Sequence, residues 1–457
     1  MTVVEIDLSD PESSRDPAAT YGAARERSAV ARLVAPGMPP MWAVTRYAPA
    51  RALFTDPRLA LGEATFALLP TLVAAEYLPY LRTMQQMEGP EHARLRSAVS
   101  PAFTPARAAA FRPRAEAIVD AALARVAAGR VDLVEVARPL PIEIICALVG
   151  VPEDERAPWH EFGAAVATGH GPAFVEAVPR IIEAARAAVE AARARSGDDV
   201  LSTLVRTPDG PTDTELVTLV WQLLLAGQVP ALLVPNAVHA LLTHRGSAAA
   251  LRADPALLPN AVEELIRWCG PQLLSLPRIA QEDVELDDVT IGKGDMVSAA
   301  LVGANRDPRV FTDPDVLRLD RPNANAHLGF AHGPHFCLGA GLARMQTEVT
   351  LRAVLRRAPR LPEPDEAARR PDPGTWRLTS LPVLLDAPGR VRRDYGEPPT
   401  LDPRRRGAPP SGREPGRSTE VGDVGRARVE SRGRRHLLRR GRRQVAASGG
   451  EPVRRSP

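Results

Sequence analysis

The eighteen residues HLGFAHGPHFCLGAGLAR, His327 to Arg344, restrict what this chain can become more than any other segment. They place one cysteine, Cys337, four residues after Gly333 and two before Gly339, and then run into an amphipathic helix pattern. A lone cysteine is most often a small buried hydrophobe. The glycines change that reading, because backbone without Cβ can curl around a sulfur and let a flat group come close. Backbone N–H groups aimed at the sulfur, and the positive end of a helix starting near Gly339, would both favour a thiolate. No second cysteine or metal-spaced histidine stands beside it, so the pattern is not that of zinc. It suits one axial position on a haem iron.

The other two cysteines, Cys146 and Cys269, are far apart, so neither a disulfide framework nor a CxxC site is readable, and a reducing, cytoplasmic setting fits best. The first residues, MTVVEIDLSDPESS, carry acids early and no basic stretch before an apolar run, so no signal peptide is expected. The net charge of +3 conceals a division: residues 387–457 hold 19 Arg against 8 Asp and Glu, which leaves the rest mildly acidic. A folded part without a basic footprint does not point to a nucleic-acid enzyme. The uncharged run Leu216 to Val238 is long enough to raise the question of a membrane span, but it contains Gln222, Gln228, Pro230, Pro235 and Asn236 and reads as a buried helix.

Most of the first 270 residues have helical periodicity broken by Pro and Gly, with the longest helix expected over 212–243, opened by Thr212 and Glu215 at capping-box spacing. MWAVTRYAPARALFTD (41–56) reads as a short strand passing into a helix, and PNAVEELIRWCG (259–270) as a helix stopped by glycine. Alternation over 278–302, around Gly292-Lys293-Gly294-Asp295, predicts a β-hairpin. A turn-rich meander follows, then the cysteine stretch, then a last strand in LTSLPVLLD. The expectation is one mainly α domain with a small β region over 1–386, and a tail, 387–457, whose Pro, Gly and Arg content predicts disorder.

GFAHGPHFCLGAGLAR resembles the haem-binding signature of the cytochrome P450 family, supplying Phe330, Gly333, His335, Cys337, Gly339, Leu342, Ala343 and Arg344. Three positions depart from the usual bacterial form: Ala331 stands where Gly is common, Pro334 fills the variable slot before the histidine, and Gly341 replaces a frequent Pro. Glu264 and Arg267, three apart and so on one helical face, match the family's Glu-x-x-Arg, and Arg321 in VLRLDRP sits where a meander arginine completes that structural triad. The resemblance spans roughly residues 15–386 and implies the P450 fold, haem b held by the Cys337 thiolate, and a monooxygenase-type oxidoreductase. It further assigns His92 and Arg96, four apart in EGPEHARLRSAVSPAFT, together with Arg278 and His335, to the two haem propionates. Phe330 and Gly339 complete the expected cofactor-binding set.

One family element is missing. Members that activate dioxygen usually carry Ala-Gly-x-Asp/Glu-Thr midway along the long I helix, where the acid and the hydroxyl serve proton delivery. Here the segment reads LLLAGQVPALL, with Ala226 and Gly227 in place but Val229 and Pro230 at the acid and alcohol positions. Pro230 removes a backbone N–H and frees the carbonyl four residues back. Gln228 is the remaining side chain able to orient a water, and Ala226, Val229 and Pro230 are candidates for the substrate pocket.

Three explanations stand side by side for the missing pair: a substrate that brings its own hydroxyl or carboxylate, a peroxide-driven peroxygenase, or a coupling, cyclisation or desaturation in place of hydroxylation. A fourth reading is a P450-like helper subunit that activates a glycosyltransferase; the retained Cys337, His335, His92 and Arg96 argue against it. The expected substrate is a medium to large, largely apolar small molecule of secondary metabolism, contacted by 62–87 and the I helix. With no flavin or iron–sulfur pattern in the chain, the resemblance implies a separate ferredoxin and ferredoxin reductase as electron donors, docking around Arg96 and Arg344.

Overall fold

The computed structural model describes residues 3–61, 72–167, 172–370, 372 and 374–387. The tail from 388 onward, and residues 62–71 of the expected substrate-contacting segment, lie outside the described residues.

The chain opens with β1 (Val4–Asp7), α1 (Pro17–Arg27), β2 (Val30–Val34), β3 (Met41–Val44), α2 (Tyr47–Leu53) and β4 (Leu59–Ala60). α1 begins where the Asp16 carboxylate accepts from the Ala19 N–H, with Pro17 in the first turn, where its missing N–H costs nothing. A mostly helical stretch follows: α3 (Gly89–Val99), α4 (Pro105–Ala124), a strand β5 (Gly129–Asp132), α5 (Pro139–Val149), α6 (Ala157–Ala167) and α7 (Pro172–Ala194).

The expected single helix over 212–243 is divided. α8 (Asp213–Ala226) starts in the capping box of Thr212 and Glu215, as the spacing predicts, and α9 (Pro230–Thr243) starts at the proline that ends the first ladder. By length and composition Asp213–Thr243 passes for a membrane span, but it sits mostly inside the protein, with Leu224, Ala237 and Val238 fully buried.

α10 (Leu258–Cys269) buries Leu258, Ala261, Val262, Leu265 and Cys269, a 3.6-residue stripe, and stops at Gly270. The predicted hairpin over 278–302 is more elaborate than its alternation suggests. Its outer arms β6 (Arg278–Ala280) and β9 (Met296–Ala299) pair antiparallel, and a smaller hairpin, β7 (Val284–Leu286) with β8 (Val289–Ile291), is inserted between them. The order β1-β2-β3-β9-β6-β4 makes one mixed sheet. After the meander come α11 (Ala340–Arg356), β10 (Ala368–Arg369), β11 (Leu378–Ser380) and β12 (Pro382–Leu385), with β10 paired to β11 and β12 to β5. The main core joins α4, α5, α8, α9, α10 and α11 through residues such as Val119, Ile144, Leu224, Ala237, Leu265 and Leu351. The cysteine stretch therefore lies between a helical core and the mixed sheet.

Candidate functional site

Cys337 closes a compact turn just before α11. Its N–H donates to the Phe330 carbonyl at 2.9 Å, and the Phe336 N–H donates to the Gly333 carbonyl at 3.0 Å. Two residues turn the chain through the left-handed region, Ala331 at φ 60° and Gly333 at φ 75°. A side chain at Gly333 would collide with Thr55 and the Phe54 carbonyl just after α2, so glycine is required there. Ala331 occupies the left-handed region without that freedom. A Cβ on Gly339 would meet no atom within 4 Å, so this glycine borders open space.

The Cys337 side chain is accessible, yet its thiol is pushed upward chiefly by burial, which together place it on an internal space. The Gly339 backbone N–H, then Arg96 and Arg344, act in the opposite direction and favour the thiolate. Cys146 and Cys269 are buried with thiols pushed up to about 12, which leaves them inert.

Around this turn the structure brings together all four side chains expected at the propionates. His92 and His335 stack with ring centroids 4.1 Å apart. Arg96 donates to the Phe336 carbonyl at 2.5 Å, and Arg278 donates to the Leu59 and Phe54 carbonyls at 2.8 and 3.3 Å. Burial disfavours the cationic form of every one: His92 falls to about 4, and His335, Arg96 and Arg278 are each lowered. The carboxylate serving this group is Glu88, which the sequence reading missed. It accepts from His335 Nε2 at 3.1 Å and from the Leu61 N–H at 3.0 Å. Four crowded basic groups disfavoured as cations, beside an accessible cysteine, fit a flat dianionic group with a metal at its centre.

Glu264, Arg267 and Arg321 form the triad with buried side chains. Arg267 Nε lies 2.7 Å and Arg321 Nε 3.0 Å from Glu264 Oε2, and the Arg318 N–H adds a bond to Oε1 at 2.9 Å. Arg267 and Arg321 also donate to meander carbonyls, among them Pro314 and Thr312. The neighbouring Glu263 was a second omission. It accepts from His327 Nε2 at 3.0 Å and from Arg344 Nη2 at 3.0 Å, while the Arg344 guanidinium covers the Phe330 ring at 4.5 Å. An acid next to the motif acid, a third of a helical turn further round, was its only signal in the sequence.

At the division between α8 and α9, the Gly227 N–H donates to Leu223 and the Ala231 N–H to Gln228, but Pro230 has none to give to the Ala226 carbonyl. Ala226 is exposed and Val229 is 38% exposed, while Leu225 and Pro230 on either side are buried. Gln228 is otherwise engaged. Its carboxamide occupies the place a Cβ on Gly163 of α6 would take, and its buried Nε2 has no hydrogen-bond partner among the described residues. The side chain singled out for holding a water is therefore packed between helices. A cavity of about 860 Å³ runs beside α9, lined by Val229, Pro230 and Leu233 and, near the cysteine turn, by Phe330 and Ala343. Cys337 itself is not part of that lining, so the cavity adjoins the turn without containing it.

Comparison with known proteins gives the family to which this fold belongs. Residues 210–384 match the family model described as Cytochrome P450. Cytochrome P450 monooxygenase PikC of Streptomyces venezuelae is 36% identical over 394 residues, covering 83% of this chain and 94% of that one. The 6-deoxyerythronolide B hydroxylase of Saccharopolyspora erythraea is 35% identical over 76% of this chain and 90% of its own. Among solved structures, ligand-free P450 monooxygenase TamI is 34% identical with a TM-score of 0.74, covering 84% of this chain and 94% of that one. The chain belongs to the cytochrome P450 family. It is a monooxygenase-type oxidoreductase whose cofactor is haem bound through a cysteine thiolate.

Proposed function

We propose that this chain oxidises a medium to large, largely apolar small molecule of secondary metabolism, and that the Cys337 thiolate would hold the haem iron. The observation that carries the assignment is Cys337 on an internal space, with the Gly339 N–H and two arginines favouring its anion and four disfavoured basic groups gathered beside it. When bound, haem supplies the activation of dioxygen that a protein side chain cannot perform. His92, Arg96, Arg278 and His335 would hold its propionates. Glu264 would keep α10 and the meander fixed beneath the turn, and Phe330 would pack along the turn under Arg344. Kinship with PikC and 6-deoxyerythronolide B hydroxylase supports the substrate class. Electrons would come from a ferredoxin and its reductase in a cytoplasmic setting. Of the two arginines expected at that docking face, Arg344 is already paired with Glu263 and Arg96 is turned to the Phe336 carbonyl and the propionate group.

Proton delivery differs from that of members with the acid and alcohol. The Val229 side chain has no exchangeable proton, Pro230 has no N–H, and Gln228 is packed against Gly163. The acceptors left at the division of the helix are the Ala226 carbonyl, freed by Pro230, and the Gly227 carbonyl, passed over by the Ala231 N–H, and either can fix a water or a hydroxyl of the substrate. This favours a substrate that takes part in ordering its own proton supply.

The test is a carbon monoxide difference spectrum of the reduced protein. A strongly red-shifted Soret band in the wild type, absent from a folded Cys337→Ala variant, is expected. A folded wild type without haem, or with the band of neutral ligation, would overturn the assignment in favour of a helper-subunit role.

A further inference from the structure

The cavity beside α9 has a polar end that the proposed chemistry does not use. Val229, Leu233, Asn236 and Ala240 all line it, at spacings of four, three and four, so it follows one stripe of the helix. From Val229 to Asn236 the stripe advances about 10 Å at 1.5 Å per residue. At the level of Asn236 stands Arg369 of β10, whose Nη1 donates to Asn236 Oδ1 at 3.1 Å. Its guanidinium lies 4.1 Å from the centre of the Trp376 ring.

Other arginines lining this cavity have carboxylates. Arg15 pairs with Glu12, Arg25 with Glu26, Arg267 with Glu264 and Arg306 with Asp315. Arg369 forms no ion pair among the described residues. The nearest candidate, Asp365, is held by His239 at 2.8 Å. Burial pulls the Arg369 guanidinium down to about 10, with Cys269 and Asp365 opposing only weakly. A partly buried cation with one neutral acceptor and one aromatic face is under-compensated, and in a cavity it selects an anion. The guanidinium fork matches a carboxylate in shape as well as charge.

We propose that this cavity binds an amphipathic carboxylic acid, with the carboxylate on Arg369 between Asn236 and Trp376 and the apolar body running along α9 toward Leu233 and Val229. This rests on the reading of Val229 as a residue of the substrate space and gives that substrate a charged end. The anion would fix the molecule lengthwise, so that the carbon presented near Val229 is set by its distance from the carboxylate. The acid would occupy the part of the cavity along α9 between Val229 and Arg369, away from the end lined by Phe330 and Ala343 at the cysteine turn.

The experiment is calorimetric titration of the haem-loaded protein with decanoate and with methyl decanoate, equal in apolar length and different in charge. Decanoate is expected to bind roughly tenfold to a hundredfold more tightly, the range for hydrogen bonds to a charged group. Arg369→Gln is expected to remove that preference while leaving the ester's affinity unchanged. Equal affinity of acid and ester in the wild type would overturn the proposal without any variant, and an intact preference in folded Arg369→Gln would overturn the anchor. The carbon monoxide spectrum reports the haem-thiolate assignment independently, so the failure of either reading is recognisable.

Discussion

Glu263 and Arg344 are joined by two hydrogen bonds, of 2.5 and 3.0 Å, and the same carboxylate takes a bond from His327. His327 opens the eighteen-residue cysteine stretch and Arg344 ends it, so one acid on α10 fastens both ends of the turn that carries Cys337.

Replacing Glu263 by Gln should loosen that turn before it unfolds the domain. The loss is about 2 kcal/mol, the scale of hydrogen bonds to a charged group in a mostly buried site. Faster conversion of the thiolate-ligated spectrum to a neutral-ligation one, measured over time in mild urea, is the expected signature. Burial alone would raise the Glu263 carboxyl, but the bonds from His327 and Arg344 prevail and it is lowered. A carboxylate lowered on folding contributes stability above its unfolded value, near 4.5, and loses it as pH falls through the lower folded value. Below both values wild type and Glu263→Gln should converge in stability; a constant difference down to strong acid would rule this contribution out.

Glu264→Ala should be far more damaging. It leaves Arg267 and Arg321, both with buried side chains, without their common anion, and breaking a buried pair in this way costs about 3–5 kcal/mol. Loss of soluble, haem-retaining protein is expected, with the meander the first region to gain amide exchange. Normal exchange there in the variant would show that the carbonyl bonds of the two arginines suffice.

Ala331 offers a gain. Alanine at φ 60° carries a penalty of about 1–2 kcal/mol relative to the right-handed region. Glycine removes it, at the cost of about 0.5–1 kcal/mol in unfolded-chain entropy. Ala331→Gly should raise the melting temperature of the haem-loaded protein by about a degree or two. A lower value would mean that the methyl group makes a packing contribution larger than the strain.

The division at Pro230 predicts an effect on coupling. Val229→Glu combined with Pro230→Thr restores an acid, a hydroxyl and the N–H facing the Ala226 carbonyl. The ratio of hydrogen peroxide released to product formed should change, read by parallel peroxide and product assays. An unaltered ratio would mean that side chains at these two positions do not limit proton delivery.

Amino-acid order alone located the cysteine turn, because Cys337 with its flanking glycines and the helix after it is a local device whose parts lie within eighteen residues. It also established α10 and the capping-box start of α8, since periodicity and caps act over one or two turns. The same local rules gave the missing N–H at Pro230 but not the division of the expected 212–243 helix there, since Pro235 lacks an N–H too and lies inside α9. Tertiary structure decided the rest. Glu88 reaches His335 across 247 positions, and Glu263 reaches Arg344 across 81. Glu88 had no periodic or motif signal and Glu263 only its place beside the motif acid, and only the packing of α3 and α10 against the cysteine turn brought them there. Gln228 reads in sequence as the remaining side chain able to orient a water, and the tertiary structure sets its carboxamide against Gly163 of α6. Arg369 reads as one arginine among many. Its significance arises from partial burial next to Asn236 with no ion-paired carboxylate among the described residues, and the dielectric environment of a side chain is set by neighbours from distant parts of the chain, not by its own segment.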